Sequence, residues 1–382
     1  MNPIFLNGQA VGAREGDSYT FLKENALEKI KALEPEIILV FSGEFDPHHY
    51  KVWEAYLAQT KLKACIVCYS YKNYYHHQNS NHLKTSVPIF SEETGFNIND
   101  LGYINSLKAL LYPANISRNW MYFYTLPKDE HTNKNIKHIH IGHGDSDKSS
   151  SCTRVQKIYD HSLVADDIAQ SRYIKNNISL PNQHFLKMGA PIFPNLSVIE
   201  NPQPLKNILY IPTFEGPSPL MNYSSLDYIY NPLTKEINKN NFEFYYHPHP
   251  AMGMRQKEYK ELSDELINKS SQQFNDKEKL FNISNAAICD ASGVTSEYLF
   301  TGKPIIAPYS IKSKLSINLN KDFRNICYLW NYDEISLSNF LKEIKNDPLF
   351  KNRMRFRDSK FMNARSFQDS VDNFDAAIKS TF

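Results

Sequence analysis

Short apolar runs recur along the chain, each ending in a polar turn and followed by a stretch of helical spacing. Ala26 to Leu33 has the helical period, and Glu36 to Phe41 is an apolar strand. The turn Ser42–His49 follows, then a helix over Tyr50–Thr60, a strand over Lys63–Ser70, and the end of a further helix over Ser106–Leu111. His138-Ile139-His140-Ile141 alternates every second residue and predicts a strand. Ser162–Ala165 reads as the next strand and Asp166–Tyr173 as a helix with an acidic first turn. Pro191 to Pro204 is rich in proline and asparagine and poor in periodic apolar residues, which marks a domain boundary.

Beyond it the pattern restarts. Ile208–Thr213, Asn241–Tyr246, Ala287–Cys289 and Ile305–Ala307 read as strands, Asp290–Leu299 as a helix start, and the chain is helical from Leu337. Strands alternating with helices predict an α/β protein with parallel, doubly wound sheets. The expected domains are 1–195 and 205–360, both Rossmann-like, with a helical tail over 361–382.

Composition narrows the function classes. A hydrophobic fraction of 41% in 382 residues supports two packed cores. A net charge of +2 gives no field for nucleic acid. No apolar run reaches the roughly 18–20 residues of a spanning helix, and the N-terminus lacks a signal-peptide pattern, so a cytoplasmic protein is expected. Cys65-Ile66-Val67-Cys68 has C-x-x-C spelling but sits in a strand-like run, where residues three apart face opposite ways; with Cys152, Cys289 and Cys327 these read as buried thiols.

Three stretches carry candidate chemistry. The first is Lys137–Lys148, where the His138–Ile141 strand breaks at Gly142 into His143-Gly144-Asp145-Ser146-Asp147-Lys148. Open α/β sheets bind ligands at the carboxyl ends of their strands, and an imidazole beside carboxylates suits a general base. A solvated Gly/Asp turn is the plain alternative. The second is His247-Pro248-His249-Pro250, two imidazoles on a stiff turn that can bind phosphate oxygens or stabilise a leaving group. A third metal ligand beside them is not identifiable, so no metal site is assigned, although a divalent cation stays open. The third is Asp290–Leu299, where Ser292, Gly293, Thr295, Ser296 and Glu297 open a helix whose free N–H groups could face an anion. An N-capped helix with nothing bound is the alternative there. Glu44, His48 and His49 occupy a further turn at a strand end, where they either bind a ligand or solvate the turn. The basic run Lys351–Arg357 is either an exposed helix face or a dock for an anionic membrane surface.

Taken in order, Leu111–Asn115, Ile141–Lys148, His247-Pro248, Asp290–Glu297 and Gly302-Lys303-Pro304 resemble the CDP-glycerol:glycerophosphate glycerophosphotransferase family, which builds teichoic-acid and capsule backbones. The resemblance runs from about residue 105 to about residue 310. It implies a GT-B-like architecture, two Rossmann-like domains facing across a cleft that closes over the substrates and excludes water. It implies His143 as the base on the acceptor hydroxyl, His247 and His249 at the donor pyrophosphate, and Ser292 with Gly293 at its phosphates. Thr295, Ser296 and Glu297 belong to the same phosphate stretch; Gly144, Lys148 and Thr213 are expected to line the substrates. The expected partners are a CDP-linked donor and a lipid-linked or polysaccharide acceptor, with peripheral contact at the inner face of the cell membrane as an option.

The chain also departs from the family pattern. Asp145-Ser146-Asp147 replaces the usual Thr-Pro after His-Gly, and Gly293 stands where a second serine is usual. These departures resemble bacterial CMP-sialic acid and CMP-Kdo transferases, also GT-B proteins. On that alternative the donor is CMP-linked, Asp145 or Asp147 is the base, and His247 serves the CMP phosphate. An inactive GT-B-like scaffold is a third reading, against which the intact His143, His247, His249 and Ser292 set argues.

Overall fold

The computed structural model describes residues 1–16, 18–41, 48–72, 86–113, 131–142, 144–145, 152–216, 222–239, 241–272, 276–290, 292–310 and 324–382, without the side chains of His48 and His49. These fall into two units. One takes the described residues of Met1–Gly144, Cys152–Pro191 and Gln368–Phe382; the other takes those of Ile192–Phe367 together with Asp145.

The first unit opens with an antiparallel meander, β1 (Asn2–Leu6), β2 (Gln9–Glu15) and β3 (Ser18–Phe21), which the strand–helix alternation did not announce. Its centre is a parallel sheet of β4 (Ile37–Phe41), β5 (Ala64–Cys68), β6 (Ile89–Ser91), β7 (Ala109–Tyr112), β8 (Lys137–His140), β9 (His161–Val164) and β10 (Phe185–Lys187), in the order β10-β9-β8-β7-β4-β5-β6. The chain enters at β4, runs to the β6 edge, then returns to β7 on the other side of β4 and proceeds to β10. This is the Rossmann order, and its reversal point lies between β4 and β7. Every residue of β4 is buried, as a strand covered on both faces requires.

One expectation fails here. The stretch before Tyr112 is not the end of a helix: β7 lies in register beside β4, Ile37 opposite Ala109, and all its residues are buried. A short run of Ala-Leu-Leu-Tyr suits a buried strand and a buried helix equally, so its periodicity is uninformative. Helices α1 (Ala26–Leu33), α2 (His48–Gln59) and α3 (Asp167–Lys175) belong to this unit.

The second unit holds β11 (Asn207–Ile211), β12 (Glu243–Tyr246), β13 (Ala286–Cys289), β14 (Ile305–Tyr309) and β15 (Tyr328–Asn331), parallel throughout, in the order β12-β11-β13-β14-β15. This is the other common doubly wound order. Its helices are α4 (Leu226–Ile237), α5 (Lys257–Lys269), α6 (Lys277–Ile283), α7 (Gly293–Leu299), α8 (Leu337–Glu343) and α9 (Phe350–Lys360). Ile208, Tyr210, Phe244, Ile288 and Trp330 of the sheet pack in one core with Leu226, Ile229 and Leu233 of α4 and Leu337 of α8.

The basic run of α9 corrects the picture of an exposed cationic face. Arg353 and Arg357 are 0% exposed and Lys360 1%. Arg353 Nε donates to the Gly302 carbonyl at 3.0 Å, and its guanidinium pairs with Asp347. Arg357 donates to the carbonyls of Phe300 at 2.8 Å and Ala364 at 2.6 Å and to Asp358 at 2.7 Å. Positions 353, 357 and 360 share one helix face, and that face is turned inward. Only Lys351 and Arg355 of the basic residues in Lys351–Arg357 are exposed. No described helix is long and apolar enough to cross a membrane.

The last helix, α10 (Phe367–Lys379), packs on α2 within the first unit. Phe374 lies against Trp53 and Tyr56, with ring centroids 6.0 and 5.6 Å away. The Tyr56 and Ser370 hydroxyls are hydrogen-bonded at 2.6 Å, and Asp375 accepts the Lys61 N–H at 2.9 Å.

Candidate functional site

Three loops leave the carboxyl ends of the adjacent strands β12, β11 and β13, and their residues are bonded to one another. After β11, Thr213 is buried and its N–H donates to Asp290 Oδ2 at 2.8 Å; the Ser225 N–H reaches the same oxygen at 3.2 Å. Asp290 follows β13 directly and so ties the β11 loop to its own. Glu215, fully buried, accepts the backbone N–H groups of Gly253 (2.9 Å), Arg255 (2.9 Å) and Gln256 (3.3 Å) in the segment after His249. Burial pushes the Glu215 carboxyl up, but these backbone donors outweigh it and hold it below the ordinary range.

His247 and His249 are half-buried on the turn after β12. The His247 N–H donates to the Tyr210 carbonyl at 3.1 Å, continuing the β11–β12 ladder by one residue. His249 Nδ1 accepts the Ala251 N–H at 3.1 Å, which fixes that ring nitrogen as an acceptor. The Phe214 ring lies 4.6 Å from the His249 ring, and the Arg255 guanidinium lies over Phe214 at 5.6 Å. The His249 ring thus lies against an aromatic ring beside a carboxylate-anchored loop, while His247 is held through its backbone to β11.

The third loop carries the small hydroxyl residues. Ser292 is the extended residue before α7, and its side chain makes no cap hydrogen bond to that helix. Gly293 opens the helix, half-buried. The Thr295 hydroxyl donates to the Asp290 carbonyl at 2.6 Å, closing the turn, and Ser296 is buried beside it. The Glu297 carboxylate pairs with the Lys277 ammonium at 2.5 Å. Lys303 of the Gly-Lys-Pro stretch is also buried: it donates to the carbonyls of Phe281 and Asn282 at 2.7 and 2.8 Å, and burial lowers it to about 8.

In the first unit, β8 leads into Ile141 and Gly142 at the sheet's carboxyl end. The Ile141 N–H donates to the Tyr112 carbonyl at 2.9 Å. Gly142 takes φ +66, a conformation that costs a residue with a Cβ. Its carbonyl accepts the indole N–H of Trp53 from α2 at 2.6 Å. Gly144 is exposed with φ +136, and Asp145 forms an ion pair with Lys360 of α9. His143, Asp147 and Lys148 lie outside the described residues, as do Glu44 and the side chains of His48 and His49. Among the described residues no three His, Cys, Asp or Glu side chains gather as a metal ion needs.

Some groups have roles that no local pattern announces. Glu215 and Trp53 act on the backbone of distant loops, and Asp290, visible in the sequence only as the start of the third stretch, binds the N–H groups of Thr213 and Ser225. His138 is a second case: it shares a 2.8 Å hydrogen bond with the Tyr112 hydroxyl and stacks on that ring. Burial lowers it to about 4, only partly opposed by Asp160, so it is neutral at pH 7. Glu54, next to Trp53, is raised by burial to about 7, partly opposed by Lys51.

Two parallel doubly wound units, one in the Rossmann strand order and one in the other common order, define the GT-B-like fold class. Among solved structures the chain is similar to Anabaena HepE (Alr3699) in complex with UDP and glucose, at 10% identity and a TM-score of 0.55, covering 91% of this chain and 100% of that one. It is similar also to the wall teichoic acid polymerase TagF, at 13% identity and a TM-score of 0.52, covering 93% and 94%. No curated protein matches it. The model of the CDP-glycerol:poly(glycerophosphate) glycerophosphotransferase family matches residues 104–311, more than half of the chain. The chain belongs to that family. It is a transferase of glycerol-phosphate units, the reaction for which the family is named, and the CMP-sugar alternative is not favoured.

Proposed function

We propose that the donor is CDP-glycerol and that the acceptor is the hydroxyl end of a poly(glycerol phosphate) or related chain of the cell surface. His247 and His249 meet the donor pyrophosphate. Ser292 and Gly293 offer a hydroxyl and backbone N–H groups to its phosphates, while Thr295 and Ser296 shape that turn and Thr213 lines it. The acceptor oxygen bonds to the glycerol-bearing phosphorus as the bond from that phosphorus to the CMP oxygen breaks. The hydroxyl proton passes to His143, and the charge developing on CMP is met by the two imidazoles. Gly144, Asp147 and Lys148 serve the acceptor side. Asp145, already paired with Lys360, acts as a brace.

What supports this reading most is that the family match at 104–311 contains the His143, His247/His249 and Ser292 stretches together. Contact with the inner face of the cell membrane has weaker support, since the α9 cations it would use are largely turned inward. The test is turnover of CDP-glycerol with an oligo(glycerol phosphate) acceptor, read as CMP release and a product one glycerol phosphate heavier by mass spectrometry. His143→Ala is expected to lower turnover by about 10²-fold or more, with calorimetric affinity for CDP-glycerol unchanged. Turnover of a CMP-sugar in place of CDP-glycerol would overturn the donor assignment.

A further inference from the structure

A pyrophosphate carries a negative charge on each phosphate, so a site that takes it from water needs positive charge as well as hydrogen-bond donors. Around the second and third stretches most groups supply hydrogen bonds without charge. His249 accepts the Ala251 N–H on Nδ1, so in this arrangement its ring is a neutral imidazole with the proton on Nε2. Ser292 offers a hydroxyl and Gly293 a backbone N–H. The ammonium groups around the third loop are committed. Lys277 pairs with the Glu297 carboxylate, and Lys303, 2% exposed, donates to the Phe281 and Asn282 carbonyls.

Arg255 is different. It lies in the segment after His249 and is exposed. Its neighbours Lys257 and Lys260 pair with Glu261 and Asp264, whereas Arg255 makes no ion pair among the described residues. Its guanidinium lies over Phe214, 5.6 Å from the ring centre, and the Phe214 ring lies 4.6 Å from the His249 ring. A guanidinium on an aromatic ring is common at protein surfaces and by itself assigns nothing. Here the backbone beneath it is fixed as well. The N–H groups of Gly253, Arg255 and Gln256 all end on Glu215, the residue after Phe214. The Met252 N–H donates to the His249 carbonyl at 2.8 Å. Gly253 takes φ +75, and a Cβ there would lie 2.3 Å from the Lys260 Cβ, so this turn has no room to rearrange. Ring, cation and His249 thus belong to one hydrogen-bonded assembly.

We infer that Arg255 is a further donor-binding residue: its guanidinium, presented on Phe214 beside His249, supplies the donor phosphates with the positive charge that the neutral imidazole and the hydroxyl lack. The inference rests on the proposed assignment of this site to the pyrophosphate of CDP-glycerol. A planar guanidinium can give a phosphate two parallel N–H bonds, and its place on the ring reduces the rotamer freedom lost on binding. Phe214 acts here as the platform that orients the cation.

The experiment uses titration calorimetry with CDP-glycerol and with cytidine, which has no phosphate, on the full-length protein, Arg255→Gln and Arg255→Lys. Arg255→Gln alters an exposed side chain and is expected to leave the urea midpoint nearly unchanged. It is expected to weaken CDP-glycerol binding by about 10- to 100-fold, the loss that goes with a hydrogen bond to a charged group, with cytidine binding unchanged. Arg255→Lys keeps the charge, loses the planar fork and should fall between the two. Added salt should weaken CDP-glycerol binding more steeply in the unsubstituted protein than in Arg255→Gln, which has one charge fewer to screen. Equal CDP-glycerol affinity, or equal salt dependence, in Arg255→Gln and the unsubstituted protein overturns the inference. An equal loss for CDP-glycerol and cytidine overturns it too, since a disturbed loop would then explain the effect. These results leave CDP-glycerol as the donor. Absence of CDP-glycerol binding by the unsubstituted protein removes the donor assignment itself, and this inference with it.

Discussion

At the scale of single residues, burial and hydrogen bonding decide which ionisable groups are available for chemistry. His138 and His143 lie five positions apart, yet His138 is committed to Tyr112 and kept neutral. Its native value of about 4 lies below the ordinary 6.5, so the unfolded chain takes up a proton more readily than the fold does. Above about pH 6.5 both states are neutral and nothing is lost. As pH falls from there towards 4 the native state is penalised, by up to roughly 3 kcal/mol. His138→Gln is expected to flatten this acid slope, which urea midpoints between about pH 7 and pH 4 would reveal. The candidate site was legible in part at this scale: His247, His249 and Ser292 stand out as polar residues just after apolar strands. Glu215 and Trp53 do not, because the groups they bind are backbone atoms of loops about 40 and 90 positions away.

At the scale of elements, α9 shows why a charge pattern is ambiguous. Lys351–Arg357 places a basic residue at every second position, yet Arg353 and Arg357 point inward and donate to carbonyls of the segment that follows α7. Phe300, Gly302 and Ala364 offer carbonyls in the helix-ending turns, and a guanidinium with its five donors can serve several acceptors at once. Arg357→Met keeps the apolar stem but leaves the Phe300 and Ala364 carbonyls unpaired. It is expected to cost about 2–4 kcal/mol, whereas Lys351→Ala, on the exposed face, should stay within about 0.5 kcal/mol. Urea unfolding of the two variants checks the contrast. A similar ambiguity explains β7, whose four buried residues have no period to read.

At the scale of the whole molecule, the chain is not divided by a single cut. It touches the second unit at Asp145, enters it again after Pro191 and returns to the first after Phe367, where α10 packs on α2. Phe374→Ala removes the ring against Trp53 and Tyr56 and is expected to cost about 3–5 kcal/mol. Amide hydrogen exchange should then quicken in α2 while β11–β13 keep their protection; uniform loss across both units would contradict the assignment of α10 to the first.

The strand–helix rhythm, and hence the parallel, doubly wound class, is legible from local patterning alone, because burying a strand on both faces demands a continuous apolar run. The residue types at the strand ends are legible in the same way. The strand order, the antiparallel meander of β1–β3, the inward turn of the α9 arginines and the reach of Trp53 to Gly142 emerge only in the folded chain. Each of these depends on which distant backbone groups come within hydrogen-bonding distance, and that is a property of the packed chain that no local pattern encodes.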